Sequence, residues 1–203
     1  MKYLVEVVYR FPAILLVILV HEYAHGLTAF LFGDDTGKKA GRLTFNPFNH
    51  MDPIGTLTLL LFGYGWPRPI PVNKWKLKRP VLHTVMVAFM GPIANLVLAM
   101  LLFWLYFLLI TNHFNVPKFV SKEILVCAKL SAGFGIFNLL PIPPMDGAKI
   151  ILAFLPDEYM NWYVKYEVYG ILLLVVLIIL RIPNFLMAPV NKLLEVLMHK
   201  FML

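Results

Sequence analysis

The chain has 203 residues, of which 60% are hydrophobic and 14% are charged, and its mean hydropathy is +0.77. Soluble globular domains are about 45–50% apolar, so this composition excludes that class and predicts an all-α polytopic membrane protein. The net charge of +7 fits loops that face anionic lipid headgroups rather than nucleic acid, and the single cysteine, Cys127, excludes an internal disulfide and a thiolate metal cluster.

The first predicted membrane span, residues 8–32, contains the motif His21-Glu22-Tyr23-Ala24-His25. Ionisable side chains inside lipid cost roughly 2.5–3.5 kcal/mol each, so three of them together need a reason. On a helix, His21 and His25 share a face and can reach one metal ion, while Glu22 lies about 100° away, where it can touch a metal-bound water. The motif therefore predicts a zinc-protease helix, although histidines on an apolar helix can also be core residues or a proton relay.

The segment 33–79 between the first two spans is predicted to be only partly aqueous. Polar and apolar residues alternate from Arg42 through Leu43, Thr44 and Phe45 to Asn46, which is typical of a half-buried strand. Such a strand could hold an unwound substrate segment by β-addition. The apolar run 54–62 is too short to span a bilayer and is expected to be re-entrant or packed in the bundle.

The orientation of the chain is predicted from its lysines and arginines. Segment 33–79 holds eight of the eighteen in the sequence. By the positive-inside rule this segment is cytoplasmic. The sequence thus predicts a multi-pass cell-membrane protein whose motif end of the first span lies toward the cytoplasm.

Three further spans and a surface helix are predicted downstream. They cover residues 80–110, 121–147 and 162–182, and the surface helix covers 186–203. In the second of the four spans, Gly91 and Asn95 are four residues apart, which favours close helix packing and an interhelical hydrogen bond.

Asp146 is the candidate third metal ligand. It follows a membrane segment that is broken by Pro141, Pro143 and Pro144, and irregular backbone at that depth must be buried in protein or line a cavity. Gly147 would let the turn approach the first helix closely. The same residues could also be an ordinary turn.

A glutamate as third ligand is disfavoured, because the candidate glutamates lie at span ends or in loops without such a break. They are Glu123, Glu158 and Glu167.

The chain resembles the site-2 protease family of intramembrane zinc metalloproteases, specifically small prokaryotic members without a PDZ domain. The resemblance rests on the His21–His25 motif, on Gly91-Pro92-Ile93-Ala94-Asn95, and on the stretch from Asn138 to Gly147. It implies one catalytic zinc ion bound by His21, His25 and Asp146, with transmembrane proteins as substrates. It further implies that Glu22 is the catalytic base and that Asn138 aids catalysis near the scissile carbonyl. Ala148 replaces a glycine that many members carry.

Two other classes of function remain open from the residues. One is a transporter or channel that uses His21, Glu22 and His25 as an ion or proton pathway. The other is a non-catalytic scaffold of the same fold that binds membrane segments.

Overall fold

The fold is described here from a computed structural model, which covers residues 2–62, 65–112 and 116–182 and the single residues 185, 188, 192 and 196. Over these residues the chain is helical, with no strand. Seven α-helices have both ends within the described part, with 3-10 turns at Pro47–His50 and Lys74–Lys76. The helices are α1 (Lys2–Leu31), α2 (Thr36–Lys39), α3 (Pro53–Phe62), α4 (Pro80–Thr111), α5 (Lys118–Asn138), α6 (Asp146–Leu152) and α7 (Asp157–Ile179).

The helices α1, α4 and α5 form the centre of the molecule, and each of them packs against the other two. One face of α1 is buried through Ile14, Val17 and Ile18, which contact Leu59 of α3 and Phe134 of α5. These apolar contacts fix the rotation of α1, and the next turn of the same helix carries the histidine motif. The packing thereby determines which way the motif faces.

The interface between α4 and the motif depends on a residue without a side chain. A Cβ at Gly91 would collide with Nε2 of His25. One turn after Gly91 on α4, the backbone carbonyl of Asn95 accepts a hydrogen bond of 2.8 Å from Oγ of Ser131 on α5. Small residues at helix contacts in lipid allow close backbone approach, so α4 can lie directly against the histidines.

Within the described part of the chain, two helices are long and apolar enough to cross a membrane, namely Arg10–Leu31 and Pro80–Thr111. They coincide with the first two predicted spans. The other two predicted spans stay a prediction: α5 carries Lys122, Glu123 and Lys129, and the apolar part of α7 is limited to Glu167–Ile179. Most of the predicted surface helix 186–203 lies outside the described residues.

The third predicted span differs from the structure at its end. Helix α5 ends at Asn138, and Asp146 begins a separate helix, α6. The intervening prolines lack the N–H groups that would continue a helix, so the chain turns and restarts.

The strand predicted for Arg42, Leu43, Thr44, Phe45 and Asn46 is wrong, because Leu43 to Phe45 form bends and the two flanking residues have no regular secondary structure. Local hydrogen bonds compete with a strand here. Thr44 Oγ1 accepts from the backbone N–H of Asn46, whose own side chain accepts from the N–H of Phe48, and His50 Nε2 donates to the carbonyl of Thr44. The neighbouring apolar run forms the ten-residue helix α3, which packs against α1.

Candidate metal centre

Two imidazoles of α1 and one carboxylate of α6 meet in the interior of the bundle. Nε2 of His21 lies 3.0 Å from Oδ2 of Asp146, and Nε2 of His25 lies 2.9 Å from the same oxygen. The two nitrogen atoms are 3.1 Å apart. The exposed fractions are 1% for His21, 4% for His25 and 2% for Asp146, so all three groups are shielded from water.

The protonation of His25 makes this arrangement fit a metal cation. Nδ1 of His25 lies 2.7 Å from the carbonyl oxygen of Val87, so Nδ1 carries the proton and donates it there. In the neutral imidazole, Nε2 then presents a lone pair to the oxygen of Asp146. Two electron-rich atoms in contact repel each other unless a proton or a metal cation lies between them, and a divalent cation can serve both histidines and Asp146 at once. Histidines that bind a metal through one ring nitrogen commonly donate the N–H of the other to a carbonyl or carboxylate, as Nδ1 of His25 does to Val87.

The spacing of the three atoms also suits zinc. Zinc–nitrogen bonds of about 2.0–2.1 Å separate tetrahedral ligands by roughly 3.3 Å, close to the 2.9–3.1 Å observed. Two imidazoles and one carboxylate are a common ligand set for catalytic zinc. His21, His25 and Asp146 could therefore hold one zinc ion.

Asp146 reaches the histidines because of the turn that precedes α6. Gly147 lies against the end of α5, where a Cβ would collide with the backbone carbonyl of Leu139. The absent side chain lets α6 start directly beside α5 and directs its first carboxylate into the bundle.

Glu22 is buried, with 2% of its surface exposed, and it is held by the backbone of the loop before α4. Its Oε2 accepts a hydrogen bond of 2.7 Å from the N–H of Ile70. The side chain of Ile70 is lodged between two glycines, because a Cβ at Gly26 would collide with its Cδ1 and a Cβ at Gly37 would lie 3.0 Å from that atom. The loop thus fixes one carboxylate oxygen of Glu22.

A cavity of about 240 Å³ adjoins the cluster. Its lining includes His21, Glu22, Asn138 and Asp146. The amide of Asn138 donates a hydrogen bond of 2.9 Å from Nδ2 to the carbonyl of Phe134 on its own helix. The structure thus brings the motif helix, Asn138 and Asp146 to one chamber that is large enough for several water molecules or a short peptide segment.

Asn95 lies apart from this chamber, at the contact between α4 and α5. The interhelical hydrogen bond there uses its backbone carbonyl, whereas its buried side-chain amide has no partner among the described residues. Nδ1 of His21 is likewise buried without a partner in the described part.

Three contacts of the centre were missed from the sequence, those of Lys149, of Ile70 and of the Val87 carbonyl, which accepts from His25. Lys149 donates to the second oxygen of Asp146, with 2.9 Å between Nζ and Oδ1, and Ile70 donates to Glu22. The i, i+3 spacing of Asp146 and Lys149 would have revealed the first contact if α6 had been predicted to start at Asp146. The contact of Ile70 joins positions 48 residues apart through a backbone group, so no residue pattern signals it.

Comparison with known proteins gives several curated relatives. The chain is 38% identical over 174 residues to the Bacillus subtilis protein named "Putative zinc metalloprotease YwhC", which covers 84% of this chain and 80% of that protein. It is 32% identical over 174 residues to "Putative zinc metalloprotease Rip2" of Mycolicibacterium smegmatis, covering 81% of this chain. The Mycobacterium tuberculosis (strain H37Rv) protein of the same name is 30% identical over 164 residues, covering 78% of this chain.

The extent of the match differs between these relatives. The chain spans only 64% and 61% of the two Rip2 proteins. No protein-family model matches the chain, and no solved structure matches it significantly. The 38% identity to YwhC over most of both chains nevertheless establishes the family. The His21–His25–Asp146 cluster is consistent with it, because the relatives are named as zinc metalloproteases and this cluster could hold zinc. The chain belongs to the site-2 protease family of zinc metalloproteases.

Proposed function

We propose that this chain is an intramembrane zinc metalloprotease that hydrolyses peptide bonds within or near transmembrane segments of other membrane proteins, as in regulated intramembrane proteolysis. One observation carries the proposal. Two imidazole nitrogens of α1, a helix apolar enough to span lipid, and a carboxylate oxygen of α6 lie within 3.1 Å of one another beside a buried glutamate. The names of the relatives, which refer to zinc metalloproteases, support the same chemistry.

His21, His25 and Asp146 would hold the zinc ion. When bound, the ion supplies a water of lowered pKa and polarises the substrate carbonyl. Glu22 would accept a proton from the attacking water and pass it to the leaving amine, a role suited to a carboxylate that lines the cavity next to His21. The N–H of Ile70 holds Oε2 of Glu22, which leaves the other carboxylate oxygen for the proton.

Asn138 is proposed to hold the substrate carbonyl. Its buried amide lines the same cavity as Glu22, so an N–H group can stabilise the negative charge that develops on the carbonyl oxygen. The amide's hydrogen bond to Phe134 keeps it near that position before substrate arrives.

The chain is further proposed to be a multi-pass protein of the cell membrane, with its active site toward the cytoplasmic side. Helices α1 and α4 support membrane association by their length and hydropathy. The concentration of lysine and arginine in segment 33–79, which follows the motif end of α1, favours the cytoplasmic orientation. The proposed partners are transmembrane substrates and the lipid bilayer.

The competing functions explain less of the structure. An ion or proton pathway through His21, Glu22 and His25 gives no role to Asp146, which contacts both histidines. A non-catalytic scaffold gives no role to Glu22, which is buried at the cavity and hydrogen bonded.

The test is a comparison of Glu22→Gln with Glu158→Gln, the same chemical change at an exposed position of α7. Each protein is purified in detergent, its zinc content is measured, and it is assayed against a panel of single-span membrane proteins. Both variants should retain zinc. Cleavage should fall by about 10²–10⁴-fold in Glu22→Gln alone, because only that variant lacks the base. Substantial proteolysis by Glu22→Gln would reject Glu22 as the base.

A further inference from the structure

The two oxygens of the Asp146 carboxylate have different partners. Oδ2 faces both histidine nitrogens, at 3.0 and 2.9 Å, whereas Oδ1 accepts from Nζ of Lys149 at 2.9 Å. Lys149 lies one turn along α6 from Asp146, so both side chains project from the same face of this short helix. The contact is local and is set once α6 forms.

The surroundings of Lys149 make this contact more than a surface ion pair. The Lys149 side chain is 35% exposed, and that of its partner Asp146 is 3% exposed. Among the described residues that line the cavity, Lys149 is the one lysine or arginine, and three carboxylates besides Asp146 share that lining. They are Glu22, Asp52 and Glu167. The ammonium nevertheless pairs with the carboxylate that faces the histidines.

A carboxylate beside a metal ion can bind through one oxygen or through both. Catalytic zinc needs three protein ligands and one open position for water. If both oxygens of Asp146 bound the ion, the second oxygen would compete for that position. A charged donor on Oδ1 makes this costly, because hydrogen bonds between ionised partners are stronger than neutral ones.

We propose that Lys149 is a positioning residue, which keeps Asp146 bound through Oδ2 alone and so keeps the fourth position at the metal open to water. This inference rests on the proposed function, since it assigns Lys149 to the same metal centre. The proposal also gives Lys149 a role in the cavity that is separate from the proton transfer proposed for Glu22.

The experiment replaces zinc by Co²⁺ in the full-length protein in detergent, because the visible absorption of Co²⁺ reports its coordination number. Three variants are compared with the wild type: Lys149→Met removes the donor, Lys149→Arg keeps a cationic donor, and Lys39→Met makes the apolar change at a surface lysine. Zinc affinity is measured in parallel by competition with a chromophoric chelator.

We expect Lys149→Met to change the Co²⁺ spectrum from a four-coordinate to a five-coordinate form. Zinc affinity should fall by about 10–100-fold, the usual effect of losing a residue that hydrogen bonds to a metal ligand. The kcat should fall with little change in KM. Lys149→Arg should retain the four-coordinate spectrum, and Lys39→Met should equal the wild type. If circular dichroism shows that Lys149→Met does not fold, Lys149→Gln serves as the neutral variant.

An unchanged Co²⁺ spectrum in the folded neutral variant would overturn the proposal. The same holds if Lys149→Arg behaves like Lys149→Met. Failure of the proposed function has a different signature: the wild type would bind Co²⁺ and Lys149→Met would show the five-coordinate spectrum, but the wild type would cleave no membrane protein.

Discussion

Two clusters of opposite charge in this molecule are built alike but placed in different surroundings. The metal-centre cluster joins Asp146 to His21, His25 and Lys149, and the loop cluster joins Asp35 to Lys39 and Lys76. The acid is 3% exposed in the first cluster and 35% exposed in the second. Exposed pairs contribute about 0–1 kcal/mol, whereas removing one partner of a buried pair costs about 3–5 kcal/mol. Similar distances between charged groups therefore have very different energetic consequences once water is excluded.

The largest effect should follow the isosteric change Asp146→Asn in the metal-centre cluster. The amide is a poor zinc ligand, and its substitution also leaves the ammonium of Lys149 without its carboxylate partner. We expect zinc affinity to fall by more than the 10–100-fold typical of outer-shell changes, together with loss of proteolysis. Metal analysis after dialysis measures this.

The matched control is Asp35→Asn, the same change in the loop cluster, which should keep full zinc content. A variant Asp146→Asn that retains zinc with wild-type affinity would remove Asp146 from the ligand set.

A neutral buried contact should have an intermediate effect. Ser131→Ala deletes the 2.8 Å hydrogen bond to the carbonyl of Asn95 between α5 and α4. Such interhelical bonds in membrane proteins contribute about 0.6 kcal/mol on average, so the free energy of unfolding in detergent should fall by roughly that amount.

Ser121→Ala is the matched control, because Ser121 bonds to the backbone of its own helix at an exposed position. Equal destabilisation by the two changes would show that burial adds nothing at this interface.

The smallest effect should come from the loop cluster, through pH. The hydrogen bond from Lys39, with that from Lys76, lowers the pKa of Asp35 from 3.8 to about 2. A carboxyl whose pKa is lower in the folded state stabilises the protein above pH 3.8, and this contribution is lost as the pH falls from 3.8 toward 2. The excess Tm of the wild type over Asp35→Asn should be small at pH 6, smaller still at pH 2 and absent near pH 1.

Protonation of the histidines affects both of these proteins alike, so the difference in Tm isolates Asp35. High salt should reduce the difference at pH 6, because the pair is exposed. A difference that persists at pH 1, below both pKa values, would contradict the role assigned to the ionised carboxylate.

The parts of the centre that lie close together in sequence were predictable. The spacing of His21 and His25 predicts a shared helical face, and the structure turns both imidazoles to one carboxylate. Asp146 is distant in sequence but could still be predicted as a ligand, because prolines mark the break in the helix before it. The contacts of Ile70 and Val87 use backbone groups of distant segments, which no side-chain pattern encodes.

The strand prediction failed for a different physical reason. Alternation from Arg42 to Asn46 describes which side chains prefer burial, but it does not count hydrogen bonds that side chains make to their own backbone. Thr44 and Asn46 supply such bonds, and the segment bends. Helix ends were predicted less accurately for another reason: the prolines after α5 cannot continue the helix, and the chain restarts as α6 at Asp146.

The packing of the Ile70 side chain between Gly26 and Gly37 limits how the length of this loop can vary. Residues 67, 69 and 71 are prolines, so Ile70 is flanked on both sides by positions that cannot donate an N–H to Glu22. A single-residue insertion or deletion between Trp66 and Ile70 would offer the glutamate a proline nitrogen. Loop grafts between homologous chains should therefore tolerate length changes after residue 71 far better than before it.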